Sequence, residues 1–141
     1  MIDIIEFILS GKLGPIGIGD TPDFVRKKIG EPDLHEPAKK SFPEFFLYGA
    51  LELRFRSGRL CYISLEVNYN SDEFFINFLN HKVFFKKHMH EINKLLLSNK
   101  IDYNVDYIMT DENQTVIVTN KNVHIAFDSN GYLSKIASVR E

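Results

Sequence analysis

The chain has 141 residues, 44% of them hydrophobic and 26% charged, a composition typical of one folded domain or two small fused halves rather than of disorder. Its net charge of −2 and its short basic runs argue against nucleic-acid binding, which needs a stripe of cations to displace phosphate counterions. No apolar stretch approaches the roughly 20 residues that span a bilayer, the start lacks the basic region of a signal peptide, and the single cysteine excludes an internal disulfide. We therefore expect a cytoplasmic protein without a membrane partner.

The first elements are an apolar segment, a glycine-rich loop and a capped helix. Ile2 to Leu9 predicts either a short helix or an edge strand. The loop Gly11–Gly19 lacks the Gly-Lys-Ser/Thr sequence of a phosphate-binding loop and a clear preceding strand, which disfavours a nucleotide site there. A helix then begins at an N-cap on Asp20 or Thr21 and ends at Gly30.

A loop and three strands follow. Leu34 to Phe42 predicts a loop, and Glu44 to Ala50 predicts a strand. Leu51 to Phe55 and Leu60 to Val67 predict a hairpin with Ser57-Gly58 at its turn. Because strand side chains alternate between faces, one set is expected to point into the core: Leu51, Leu53, Phe55, Cys61, Ile63, Leu65 and Val67. The other set is expected to point outward: Glu52, Arg54, Arg56, Tyr62, Ser64 and Glu66.

The second half repeats this organisation. Asn68 to Asp72 is the expected join, and the Phe-rich segment from Glu73 to Phe85 predicts either a crossing strand or a short helix. Lys86 to Asn99 has apolar residues at helical spacing and is therefore predicted to form a helix. Four strands are then expected at roughly 104–109, 114–119, 122–128 and 132–138, by their alternating pattern.

An internal repeat relates the two halves. Leu51, Leu53 and Phe55 match Val123, Ile125 and Phe127 at an offset of 72, and Gly58, Leu60 and Ile63 match Gly131, Leu133 and Ile136 at an offset of 73. Such self-similarity indicates duplicated supersecondary units. We predict an α+β fold in a single domain of two repeats, at about 13–70 and 86–139, with each repeat a helix plus antiparallel strands and the helices packed on one face of the sheet.

Two segments carry a resemblance to known families. Gly17–Asp33 combines a small-residue turn, a capped helix and an Ile-Gly-x-Pro ending, and Leu51–Leu60 has the pattern Leu-x-Leu-x-Phe-x-x-Gly-x-Leu. This combination resembles the beta-lactamase-inhibitor-protein-like and the outer-membrane lipoprotein SmpA/OmlA-type modules. Tyr48–Phe55 also resembles small bacterial immunity proteins of polymorphic-toxin loci. The resemblance implies a duplicated αβ scaffold whose sheet face binds another protein.

Candidate chemistry is sparse. His88 and His90, with His81 nearby, have a metal-like spacing, but on a helix the two imidazoles would diverge by about 200° at ~100° per residue, whereas zinc needs three or four converging ligands. Cys61 is expected to face the core, where a thiol is inert. We find no coherent set of catalytic residues, and we expect no enzyme activity, no metal and no cofactor.

The expected outward face instead suggests recognition of a protein. It combines tyrosines with acidic residues, a composition suited to an interface. The candidate partner-binding residues are Tyr48, Glu52, Tyr62, Glu66, Asp106, His124 and Asp128. The first hypothesis is an immunity protein that occludes a cognate bacterial toxin domain, such as a basic nuclease. The alternatives are a small ligand- or metal-binding αβ domain that uses Gly11–Gly19 or the histidines, with a possible enzymatic role, and a structural assembly module.

Overall fold

The computed structural model describes residues 3–67 and 87–140, and over these ranges the chain is an α+β protein with eight antiparallel strands in a single sheet. The helices are α1 (Ile4–Ser10), α2 (Pro22–Ile29) and α3 (Met89–Ser98). The strands are β1 (Leu34–Glu36), β2 (Glu44–Tyr48), β3 (Leu51–Arg56), β4 (Arg59–Glu66), β5 (Tyr103–Val105), β6 (Gln114–Thr119), β7 (Val123–Asp128) and β8 (Leu133–Val139). The predicted α+β class is confirmed.

The helices begin and end at residues that satisfy their free backbone groups. The side chain of Thr21 accepts a hydrogen bond from the backbone N–H of Phe24 at 3.2 Å, and Pro22 occupies the first turn of α2. Gly30 follows that helix with a φ of 91°, a conformation that favours glycine. Of the two predictions for the N-terminal segment, the helix is the one observed, with Asp3 as its N-cap.

The order of the strands in the sheet is β1-β2-β3-β4-β8-β7-β6-β5. Of these described strands, each half of the chain therefore contributes four neighbours, and β4 and β8 join the halves at the centre. In that central pair Tyr62 lies opposite Val139 and Glu66 lies opposite Lys135. The sheet is continuous across the two halves of the sequence.

One face of the sheet carries the core. Leu53, Ile63, Ile125 and Ile136 alternate into this face and are fully buried. They belong to a single cluster with buried side chains from all three helices, which are Ile4, Phe7 and Ile8 of α1, Val25 of α2, and Ile92 and Leu96 of α3. Burial of this apolar area is the main term that stabilises the fold.

Both central hairpins contain a β-bulge at a corresponding position. The register shifts between Arg54 and Phe55 in the β3–β4 pair, and between Ala126 and Phe127 in the β7–β8 pair. Cys61 is the extra residue in the first hairpin, and its thiol donates to the carbonyl of Arg54 at 3.4 Å. The prediction that Cys61 faces the core is wrong, because the bulge rotates its side chain out of the alternation and leaves it half-buried.

Three predicted elements differ most from the observed ones. The expected loop after α2 contains the short strand β1, which pairs with β2. The expected helix from Lys86 to Asn99 is the shorter helix α3. The expected strand at 104–109 stops at Val105, because the chain turns at Asp106, whose carboxylate accepts from the backbone N–H groups of Ile108 and Met109.

Some predictions fall on residues outside the described ranges. These are the join at Asn68 to Asp72, the segment from Glu73 to Phe85, and His81. Within residues 3–67 and 87–140, no helix combines the length and the apolar character that crossing a membrane requires.

Candidate functional site

The sheet face opposite the core, which we call the polar face, is built by the alternate positions of the central strands. Cross-strand partners point to the same side, so the registers assign its members directly. They are Glu52 and Arg54 of β3, Tyr62, Ser64 and Glu66 of β4, Lys135, Ala137 and Val139 of β8, His124, Ala126 and Asp128 of β7, and Gln114, Val116 and Val118 of β6. The polar face thus spans both halves of the chain.

Tyr62 lies between two cations at the centre of this face. The guanidinium carbon of Arg54 is 4.3 Å from the centre of the Tyr62 ring, and Nζ of Lys135 is 5.9 Å from it. Arg54 is held in turn by Glu52, with 2.7 Å between Nε and the carboxylate oxygen. Cation–π contacts at exposed sites contribute about 0.5–1 kcal/mol each, so this group fixes the orientation of the tyrosine ring more than it stabilises the fold.

A hollow of about 320 Å³ lies beside Tyr62, and we call it the Tyr62 hollow. Its lining residues are Tyr62, Asp106, Met109, Gln114, Val116, His124, Ala126, Lys135, Ala137 and Val139. The hollow exists because Ala126 and Ala137 are small. At the position in the first half that corresponds to Ala126, the chain has Arg54, whose long side chain extends over the Tyr62 ring.

A second hollow of about 390 Å³ shares Gln114, Ala126 and Lys135 with the first and is also lined by Glu66 and Asp128. Its remaining lining residues are Val67, Leu133 and Ser134. The two hollows together form a depression that is mostly apolar beside Tyr62 and is lined by charged and polar residues at the second hollow. Such a surface can bind the side chains of a partner, because apolar burial provides affinity and the charges provide orientation.

The structure brings most of the predicted partner-binding residues together. Tyr62, Asp106 and His124 line the first hollow, and Glu66 and Asp128 line the second. Glu52 lies beside them through its ion pair with Arg54. Whether these residues bind a partner stays a prediction, but their placement on one surface agrees with the sequence analysis.

Tyr48 is the exception, and its predicted outward placement is wrong. It lies opposite Leu51 on the core face and is only 4% exposed. Its hydroxyl donates to the carbonyl of Gly30 at 2.8 Å, at the end of α2. Burial, and secondarily the negative charge of Glu31, raise the pKa of Tyr48 to about 12. This tyrosine therefore holds α2 to the sheet and is not available on the polar face.

Sequence reasoning missed the residues that shape the depression. Arg54 and Lys135 had no assigned role, although Lys135 occupies the position that corresponds to Tyr62 at the repeat offset of 73. The small residues Ala126 and Ala137 were also missed. The available signal was an alanine at an outward strand position, where polar or larger residues are usual.

The histidines are arranged differently from the sequence prediction. His88 precedes α3 as its N-cap, and its Nδ1 accepts from the backbone N–H of His90 at 3.2 Å. The two imidazole rings stack with their centres 4.7 Å apart. The predicted divergence is wrong because His88 has an extended rather than a helical backbone. Within the described part of the chain, no group of three or more potential metal ligands converges.

The glycine-rich loop uses backbone donors internally. The N–H of Gly17 donates to the carboxylate of Asp20 at 2.8 Å, and the N–H of Gly19 donates to the carbonyl of Leu60 at 2.8 Å. A phosphate-binding loop points such N–H groups at its ligand. These two N–H groups are therefore already engaged, and the hydrogen bond to Leu60 fastens the end of the loop to β4.

Comparison of the chain with protein-family models, with curated proteins and with solved structures finds no match. The resemblances described in the sequence analysis accordingly stay predictions.

Proposed function

We propose that the protein is a bacterial immunity protein that binds a cognate toxin domain through the polar face and neutralises it by occlusion. The observation that carries this proposal is the Tyr62 group, in which an aromatic ring is held between Arg54 and Lys135 beside the mostly apolar Tyr62 hollow. Tyrosine and arginine are enriched among the residues that dominate binding energy at protein interfaces. A ring that is already held in place loses little conformational entropy on binding.

A duplicated scaffold is part of the proposal. In each half, a helix with its N-cap at Thr21 or His88 would precede a set of four antiparallel strands, and the helices would cover one face and leave the other for the partner. The matching bulges support this view, since Cys61 donates to the carbonyl of Arg54 and Ser134 donates to the carbonyl of Ala126.

The approach to each helix supports the same duplication. The N–H of Leu60 donates to the carbonyl of Asp20, and the N–H of Leu133 donates to the carbonyl of Lys87. Each pair joins the residue before an N-cap to the corresponding residue of the hairpin. A scaffold of two similar units gives a broad surface, which suits a protein partner better than a small substrate.

Charge favours a basic toxin domain. Residues 101–120, which supply β5, β6 and four of the ten residues that line the Tyr62 hollow, contain Asp102, Asp106, Asp111 and Glu112 but no lysine or arginine. A negative region beside the depression would accelerate capture of a basic partner such as a nuclease. The cytoplasm is the proposed location, because a producing cell must neutralise such a toxin there.

Co-expression tests the proposal. The gene is placed under one promoter, and the C-terminal domain encoded by the adjacent gene is placed under another, in cells where that domain alone stops growth. We expect restored growth, and a complex of the purified proteins by calorimetry. A neighbouring gene without a growth-arresting domain, or a domain that this protein neither binds nor neutralises, would refute the immunity function.

The second candidate function is binding of a small ligand in the Tyr62 hollow. Its volume of about 320 Å³ lies at the lower end of the range for ligand sites, about 300–1,000 Å³. Thermal-shift screening of a metabolite collection tests this function. A ligand whose stabilising effect disappears in Ala126→Arg would support it, and the absence of any stabilising compound would count against it.

A further inference from the structure

Three consecutive apolar side chains are exposed in the connection between β5 and β6. Tyr107 is 84% exposed, Ile108 is 94% exposed and Met109 is 52% exposed. We call this segment the apolar tip. Large apolar side chains are usually exposed singly on a folded protein, and contiguous ones often mark a contact surface.

Hydrogen bonds hold the apolar tip in one conformation. The carboxylate of Asp106 accepts from the N–H groups of Ile108 at 3.1 Å and Met109 at 3.2 Å, and the N–H of Thr110 donates to the carbonyl of Asp106 at 2.9 Å. The side-chain amide of Gln114 donates to the carbonyl of Met109 at 2.8 Å. The turn is therefore organised before any partner binds.

The same turn is fastened to β6. The hydroxyl of Thr110 accepts from the N–H of Val116 at 2.9 Å, and the N–H of Asp106 donates to the carbonyl of Val116 at 2.8 Å. Because β6 lies within the sheet, the apolar tip keeps a fixed position relative to the polar face. Met109 belongs to both, since it also lines the Tyr62 hollow.

The charge around the apolar tip favours a protein partner over a membrane. The apolar tip lies within residues 101–120, where four acidic residues are not balanced by any lysine or arginine. Anionic lipid surfaces repel such a segment, whereas membrane-binding loops typically combine apolar residues with cations. A basic protein surface complements it.

We propose that the apolar tip inserts into an apolar depression on a basic partner protein and is the anchor of that interface, continuous with the Tyr62 hollow. This inference rests on the proposed function, because the toxin domain is the partner to which it is applied. It adds the residues Tyr107 and Ile108, which the partner would bury most completely.

The test uses the purified C-terminal domain of the protein that the adjacent gene encodes. Calorimetry measures its binding to the unmodified protein and to two variants. Ile108→Ser is the test variant, and Leu97→Ser is the matched control, because Leu97 is 77% exposed on α3. We expect Ile108→Ser to raise the dissociation constant by about 30-fold or more, as for a central contact. Leu97→Ser should stay within about twofold, as for a surface position outside the interface.

The outcomes separate the two proposals. If the unmodified protein binds the domain and Ile108→Ser binds it equally well, the inference about the apolar tip is overturned and the immunity function stands. If the unmodified protein does not bind, both are overturned. Sedimentation with phosphatidylglycerol–phosphatidylcholine vesicles covers the remaining alternative: vesicle binding that Ile108→Ser abolishes would assign the apolar tip to a membrane and overturn the protein contact.

Discussion

Ser64 of β4 lies opposite Ala137 of β8 at the centre of the eight-stranded sheet, and the two positions are separated by the repeat offset of 73 that also separates Leu60 from Leu133. A residue thus pairs with its own counterpart. On either side, Tyr62 lies opposite Val139 and Glu66 lies opposite Lys135, as an approximate twofold axis through the central pair requires. This relationship supports the proposed duplication, and it places Tyr62 and Lys135 close to the axis.

Replacement of Tyr62 tests the centre of the polar face. We expect Tyr62→Ala to weaken binding of the proposed toxin partner by ~2 kcal/mol or more, as for a central aromatic contact. Tyr62→Phe keeps the ring against Arg54 and Lys135 and should retain most of the affinity. Calorimetry gives the dissociation constants, and circular dichroism checks folding. An unchanged dissociation constant for Tyr62→Ala would remove this residue from the interface.

Filling the depression tests the contribution of its shape. Ala126→Arg introduces the residue that the first half carries at the corresponding position, Arg54. We expect the free energy of unfolding to change by about 1 kcal/mol or less, because the arginine side chain can extend over the surface. Thermal unfolding measures this change. Binding of the proposed toxin partner should fall by at least about tenfold, since the depression would be occupied. Ala126→Ser serves as the control that leaves the space open, and equal affinities for both variants would contradict the assignment.

Replacing either of two turn glycines by alanine should reduce stability by different amounts. Gly58 and Gly131 both have a positive φ, 72° and 84°, so an alanine at either position is strained by about 1–2 kcal/mol. A Cβ at Gly131 would also lie 2.5 Å from Nε2 of His88, whereas nothing lies within 4 Å at Gly58. Displacing His88 would disturb the N-cap of α3, and this increases the expected loss of stability in Gly131→Ala by about 1 kcal/mol. Urea unfolding should therefore show a larger loss for Gly131→Ala than for Gly58→Ala, and equal losses would show that His88 moves freely.

The buried hydroxyl of Tyr48 predicts a loss of stability at alkaline pH. The folded protein holds this proton up to a pKa of about 12, while the ordinary tyrosine pKa is 10.0. The contribution of this hydroxyl to the free energy of unfolding is therefore fully present below pH 10. It falls as the pH rises towards 12, because the unfolded chain loses the proton first. Tyr48→Phe should reduce this dependence, whereas Tyr107→Phe, at an exposed position, should not. Urea unfolding at several pH values measures it, and identical profiles for Tyr48→Phe and the unmodified protein would contradict the prediction.

The sequence predicted the elements whose signals are local. The cap on Thr21, the ending at Gly30 and the alternating hairpins are set by neighbouring residues, and they appear close to the expected positions. The misplaced residues depend on longer-range effects. Tyr48 lies opposite the core residue Leu51 and donates to the carbonyl of Gly30, and Cys61 leaves the alternation through a bulge that depends on the opposite strand.

The candidate site was predicted in composition but not in shape. The acidic and aromatic members of the polar face follow from strand alternation alone. The depression does not, because it depends on Ala126 and Ala137 lying on neighbouring strands and on the turn at Asp106. Strand order determines that arrangement, and β4 beside β8 joins residues that are 69 to 77 positions apart in the chain.

Among the strands of residues 3–67 and 87–140, the outermost two, β1 and β5, are only three residues long. Each offers few unpaired backbone groups, so neither provides a long template for a strand from another molecule to extend the sheet. Recognition by main-chain pairing, and fibril growth by the same route, are therefore disfavoured. A macromolecule that associates with these strands would therefore distinguish them mainly through side chains, and single substitutions on the faces of the sheet should weaken the association.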